Sequence, residues 1–118
     1  MKKIKFLIIV FLLIISFVIL NDTEIKAQFS QICNLYGTVY IEDNPNNAHF
    51  IVYVEETEGM ADMLIYQEDN RLFADRKGLW FFTSNRGLSN FSVYFEREKN
   101  RADFTIFYTE VQTFAGCR

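Results

Sequence analysis

Seven starting points, Leu35, Ala48, Ala61, Ala74, Ser89, Ala102 and Ala115, recur at intervals of 13, 13, 13, 15, 13 and 13 residues. A period this short admits few folds, because each unit is one supersecondary element that must bury its apolar face against its neighbours. Between the starts run LYGTVYIED, AHFIVYVEE, ADMLIYQED, KGLWFFTSN, SNFSVYFER and ADFTIFYTE. Their centres are β-branched and aromatic residues alternating with period two, which predicts strands over 37–42, 50–55, 63–67, 79–83, 91–96 and 104–109. A seventh start, AGCR, stops at the chain end. The predicted fold is all-β, a compact closed array of six short strands spanning about residues 36–115. A short solenoid is the alternative, and it leaves two strand edges needing caps.

Alternation divides the side chains between two faces. The expected core face carries Gly37, Val39 and Ile41; Phe50, Val52 and Val54; Met63, Ile65 and Gln67; Gly78, Trp80 and Phe82; Phe91, Val93 and Phe95; and Phe104, Ile106 and Tyr108. The other face sets Tyr40, Tyr53, Tyr66, Phe81 and Tyr94 at one repeated offset, and these five are the candidate binding residues. Exposed, they offer an aromatic row for a partner; wrapped by the chain's own connections, they are internal packing. Connections of about seven residues suit an antiparallel return and fall short of a full crossover helix, though one helical turn fits in each. Met60, Phe73, Leu88 and Phe114 stand just before a unit start and are expected to tuck those connections against the sheet. Gly37 and Gly78 share an offset that predicts a tight bend or a close backbone approach.

Ahead of the repeats, Lys2, Lys3 and Lys5 precede the 15-residue apolar run FLIIVFLLIISFVIL. This is the pattern of a secretory signal peptide over residues 1–27, cleaved after Ala27 to leave a domain over 28–118. A retained anchor is the alternative, since Ile25 is a poor residue at minus three, but the run is shorter than the roughly 20 residues a bilayer asks for. The exported part holds 8 basic and 13 acidic residues, a formal charge of −5 against −3 for the whole chain. That balance gives no counterion-release term for nucleic acid, and no membrane contact is expected after cleavage. The expected location is secreted or periplasmic. In such an oxidising compartment the only cysteines, Cys33 and Cys117, are expected to pair, closing the ends of the array, with two buried free thiols as the alternative. Nothing resembles a Cys-x-x-Cys redox site.

Ala61-Asp62 with Ile65-Tyr66, Ala102-Asp103 with Ile106-Phe107, the terminal Ala115-Gly116 and their 13-residue return resemble the Septknot family of small exported bacterial proteins, best known from Bacteroidota. The resemblance covers about residues 33–118. It implies a knotted β fold with seven crossings, each unit being one winding, and no established activity. Three places depart from the pattern: Arg76-Lys77, Ser89-Asn90 and His49, which replaces the Asp after Ala.

Candidate chemistry is sparse. Asp62, Asp75 and Asp103, with Asn90 at the equivalent place, are expected to accept backbone N–H groups in turns, while His49, which takes that place in its own unit, is expected to be a polar surface residue or a cap. His49, the sole histidine, needs a hydroxyl such as Ser30, Thr38 or Ser92 beside it to act as a base, and no nucleophile motif surrounds any of them. Glu42-Asp43, Glu55-Glu56, Glu58, Glu68-Asp69, Glu96, Glu98 and Glu110 predict an acidic rim, solvated or holding a hard cation, without the spacing of a calcium loop. No metal and no cofactor are expected. The sequence therefore points to an exported non-enzymatic domain whose partner is an envelope or extracellular protein or a glycan. A structural protein valued for stability alone is the alternative, and an unfamiliar hydrolase is third.

Overall fold

A computed structural model describes residues 2–117, with the side chains of residues 19–30 left aside. The chain divides into two units, residues 1–32 and 33–118. In the first, α1 (Lys2–Cys33) carries exposed apolar side chains from Ile4 to Val18. Among the described residues no helix is long and apolar enough to cross a membrane. Ile25, the cleavage position at Ala27–Gln28 and Ser30 lie outside the described residues.

The second unit is mostly β. Among the described residues its strands are β1 (Gly37–Ile41), β2 (Phe50–Val54), β3 (Met63–Gln67), β4 (Leu79–Thr83), β5 (Phe91–Phe95), β6 (Phe104–Tyr108) and β7 (Gly116–Cys117). Each connection carries one 3-10 turn, at Pro45–Asn47, Glu58–Met60, Arg71–Phe73, Arg86–Leu88, Lys99–Arg101 and Gln112–Phe114. Asn44, Asn70 and Asn85 start three of these turns by accepting the N–H two residues on, at 3.0, 2.9 and 3.0 Å. The sheet order is β4-β1-β5-β2-β6-β3-β7, and β3 also pairs with β4, so β1 to β6 close into a barrel.

Every pairing among β1 to β6 is parallel. This corrects the antiparallel return expected from the connection length. Apart from β3 and β4, which pair, successive strands are not neighbours: each other connection passes over one intervening strand and reaches the next strand but one. The two-residue β7 is the exception in direction, antiparallel to the start of β3 through Met63 and Leu64. Beyond it, Tyr66 and Gln67 of the same strand pair with β4. The seventh start thus adds a strand that the six-strand prediction lacked.

The barrel centre matches the alternation: Val39, Val52, Met63, Ile65, Trp80, Val93 and Ile106 are fully buried. Phe50 packs edge-on to Phe91 and Phe104, with centroids 6.0 and 5.8 Å apart, and Trp80 meets Phe91 at 5.3 Å. The indole N–H of Trp80 donates to the Leu35 carbonyl at 3.3 Å, so the largest core side chain leaves no orphan donor. At the carboxyl ends the core assignment is corrected: Ile41, Val54, Gln67 and Tyr108 are exposed, because five-residue strands end there without a covering layer. The outer face is corrected too. Thr38, Leu64, Ser92 and Thr105 are buried at the strands' second positions, while Tyr40, Tyr53, Tyr66, Phe81 and Tyr94 are half-buried. Met60, Phe73, Leu88 and Phe114 do not tuck inward; they stand exposed on the 3-10 turns.

Candidate functional site

At the amino ends of the strands, the residue after each small unit-opening residue bridges to a neighbouring strand. Asn90 Oδ1 accepts the Thr38 N–H at 2.8 Å, and Asp103 Oδ2 accepts that of Ile51 at 2.7 Å. Asp62 Oδ2 accepts from Thr105 N–H at 3.0 Å while its own N–H reaches the Thr105 carbonyl at 3.1 Å and Oγ1 at 3.0 Å. These side chains serve backbone amides as expected, but across the sheet and not within their own turns. Asp75 is outside the pattern; it is exposed and lies 3.9 Å from Arg76.

His49 and Ser92 are brought together, as a base and a nucleophile would be, with Nδ1 3.1 Å from Oγ. The same Nδ1 accepts the Ser92 N–H at 2.9 Å, and the His49 N–H reaches the Ser92 carbonyl at 3.1 Å. This is the Asp62–Thr105 arrangement with an imidazole in place of a carboxylate. A ring nitrogen committed to a backbone amide is not free to take a hydroxyl proton, and Ser92 is buried. The pair holds two strands together.

The acidic rim is corrected at three of its positions. Glu42, Glu55 and Glu68 follow β1, β2 and β3, and their side chains are over nine-tenths buried or close to it. Each meets the first residue of a later 3-10 turn: Arg86 on Glu42, Lys99 on Glu55 at 2.6 Å, and Gln112 on Glu68 at 2.6 Å. The hydrogen bond that the Lys99 ammonium donates to the Glu55 carboxylate, and then the charge of that carboxylate, hold Lys99 above the ordinary lysine range. Arg86 also lies 5.5 Å over the Tyr40 ring, so that candidate is covered from within. Among the described residues no group of three His, Cys, Asp or Glu is placed to hold a metal ion.

Of the five candidate aromatics, Tyr66 lines a cleft of about 370 Å³ between the carboxyl ends of β3 and β6. Its other walls are Gln67, Tyr108, Thr109 and Glu110. Neighbouring parallel strands fix the spacing: Ile65 is in register with Tyr108, and the Thr109 N–H donates to the Ile65 carbonyl at 2.9 Å. Partial burial pushes the phenol of Tyr108, still 37% exposed as a residue, up to about 12, and at neutral pH its hydroxyl is a donor as any phenol's is. Two rings, an amide, a hydroxyl and a carboxylate here face one opening at the carboxyl end of a parallel barrel. Tyr40, Tyr53, Phe81 and Tyr94 do not line it, and no ring contact within the set of five occurs among the described residues.

Cys33, just ahead of the first strand, and Cys117 in β7 are disulfide-bonded with Cα atoms 5.2 Å apart. The sequence model of the Septknot family, described as a 7(1) septoil knot domain, matches residues 32–118. The chain belongs to the Septknot family. No curated protein and no solved structure matches it. The Septknot span takes in the whole barrel, both cysteines and the Tyr66 cleft. Within it, sequence reasoning missed Gln67, Tyr108, Thr109 and Glu110 as site residues. Two were assigned to the core, and the signal against that was position: they stand at strand ends, where alternation no longer guarantees burial.

Proposed function

We propose that this Septknot chain is an exported, non-catalytic binding domain whose contact is the Tyr66–Tyr108 cleft and whose ligand is a glycan of the envelope or its surroundings. The juxtaposition of two tyrosine rings with Gln67, Thr109 and Glu110 carries the reading. Rings offer an apolar face to a sugar, and amide, hydroxyl and carboxylate groups bond its hydroxyls. The basic start and apolar run support export, with cleavage after Ala27 leaving the domain over 28–118. A disulfide is compatible with a secreted or periplasmic location.

We also propose that the domain is knotted. In the order β4-β1-β5-β2-β6-β3-β7 every strand but β4 lies two places on from its predecessor, and β4 does so too when β7 is counted as a place between β3 and β4 in a ring of seven. Six such steps, completed by the Cys33–Cys117 bond that joins the ends, make two circuits of the ring, and the two circuits cross seven times. The 13-residue unit is then one step of the winding.

Titration of the full chain, in neutral detergent free of sugar, with fragments of envelope polysaccharide tests the binding reading. Tyr108→Ala and Glu110→Ala should each weaken capture about tenfold, or roughly 1.4 kcal/mol, without lowering the melting temperature. Saturable glycan binding indifferent to both substitutions, or none at all, discards the cleft.

A further inference from the structure

The connection from β3 to β4 departs from the rest. Residues 74–78 separate its 3-10 turn from the following strand, where one or two residues suffice elsewhere. The excess, Arg76 and Lys77, is wholly basic, and it is fixed in place. The Leu79 N–H donates to the Arg76 carbonyl at 3.0 Å, and the Gly78 N–H donates to the Leu35 carbonyl at 3.0 Å. Gly78, at φ 76°, closes this turn in a conformation that favours glycine, and a Cβ there would strike the Gly116 backbone nitrogen.

So held, Arg76 and Lys77 line a cleft of about 220 Å³ with Leu79, Gln112, Thr113 and Ala115. Leu79 is buried and provides an apolar floor. Arg86 and Lys99 are occupied by the buried carboxylates Glu42 and Glu55. Arg76, by contrast, reaches only the exposed Asp75, and Lys77 has no ion pair among the described residues. Gln112 gives one amide hydrogen to Glu68 and so stands between that carboxylate and the cleft. A lysine with no ion pair among the described residues, an arginine whose ion pair is one exposed carboxylate at 3.9 Å, a threonine hydroxyl and an amide around one opening are the donor set for a compact oxyanion.

We infer that this cleft binds a phosphate group, as a site separate from the Tyr66 cleft. The probe is inorganic phosphate, added to the isotopically labelled full chain in neutral detergent at constant ionic strength, with chloride as the control salt. Backbone amide resonances of residues 76–78 and 112–115 should shift saturably, and Arg76→Gln with Lys77→Gln should weaken the response at least tenfold at unchanged melting temperature. Thr113→Val should weaken it by a smaller factor. A second arm replaces phosphate by a soluble short-chain phosphatidylglycerol. Tighter binding of the lipid, lowered by Phe73→Ser, identifies a lipid headgroup as the source, and equal binding identifies a phosphate-bearing solute. No saturable shift, a shift equal to that at Arg97–Arg101, or one indifferent to the paired substitution overturns the site.

Discussion

Asp62 and His49 hold the amino ends of two strand seams with different atoms, a carboxylate oxygen on Thr105 N–H and an imidazole nitrogen on Ser92 N–H. Removing either leaves a partly buried amide donor without its acceptor, which costs about 1–3 kcal/mol. Asp62→Ala and His49→Ala should each show a loss in that range by reversible denaturation, while Asp62→Asn, which keeps an acceptor oxygen, should lose less. A loss below about 0.5 kcal/mol in both alanine variants would contradict the role. For His49 this replaces the expected role of a polar surface residue or a cap. The Asp after Ala was legible in the sequence because residue type and offset recur. Its partner was not, since it lies 43 or 52 residues away at a place set only by the ring order. Tyr108 gives a pH prediction. Its folded phenol titrates near 12 and its unfolded one near 10, so between these values the unfolded chain releases the proton first. Stability should therefore be unaffected by this group below pH 10 and fall as pH rises toward 12. Tyr108→Phe should flatten that part of the decline in alkaline unfolding curves, leaving the part that belongs to Lys99, whose raised value loses its contribution as pH climbs above the ordinary lysine range.

The strands were legible almost residue by residue, because alternation around β-branched and aromatic centres is a local property; β3 and β4 match the predicted limits, and the other four predicted strands end one residue early. Strand direction was not local. The rule that parallel strands need a dozen residues between them reflects crossovers built on helices. Here β1 and β2 are joined by residues 42–49, and the chain need cover only about 10 Å sideways over one strand and about 17 Å back along it. Nine Cα steps span about 30 Å when extended, so one 3-10 turn fits within the slack. The same geometry exposes the turns, which is why Leu72 is 73% and Phe73 59% exposed although the sequence suggested an inward tuck for such positions. Ile65 and Leu72 should therefore separate cleanly. Ile65→Ala should cost roughly 2–5 kcal/mol through lost burial and a cavity, and Leu72→Ala should stay within about 0.5 kcal/mol. Equal losses in urea denaturation would mean that the turn packs on the barrel after all.

At the scale of the molecule, the proposed double winding and the disulfide act on the same two ends. The bond joins residues 84 apart, a closure that the loop-entropy relation sets at roughly 4–5 kcal/mol, and Cys117→Ala should lower stability by about 2–5 kcal/mol. Thiol labelling of the native protein should find no reactive cysteine. The bond between the two ends was foreshadowed by the cysteines flanking the repeats, whereas the order of the strands in the barrel was invisible, because units so alike carry no mark of which neighbour they pair with. The winding itself has a kinetic consequence. A chain unfolded with its disulfide intact is a closed loop and keeps whatever knot it holds, while a reduced chain has free ends and unties with time. Refolding of the reduced protein should then slow progressively with the time spent in denaturant, by tenfold or more, and refolding of the oxidised protein should not depend on that time. Isomerisation at the single proline, Pro45, would also produce an ageing effect over tens of seconds, so both series belong on a Pro45→Ala background. Reduced and oxidised chains that refold with the same indifference to ageing would show that no threading step separates the unfolded chain from the barrel, and the seven-place order would have to be reached by an untied path.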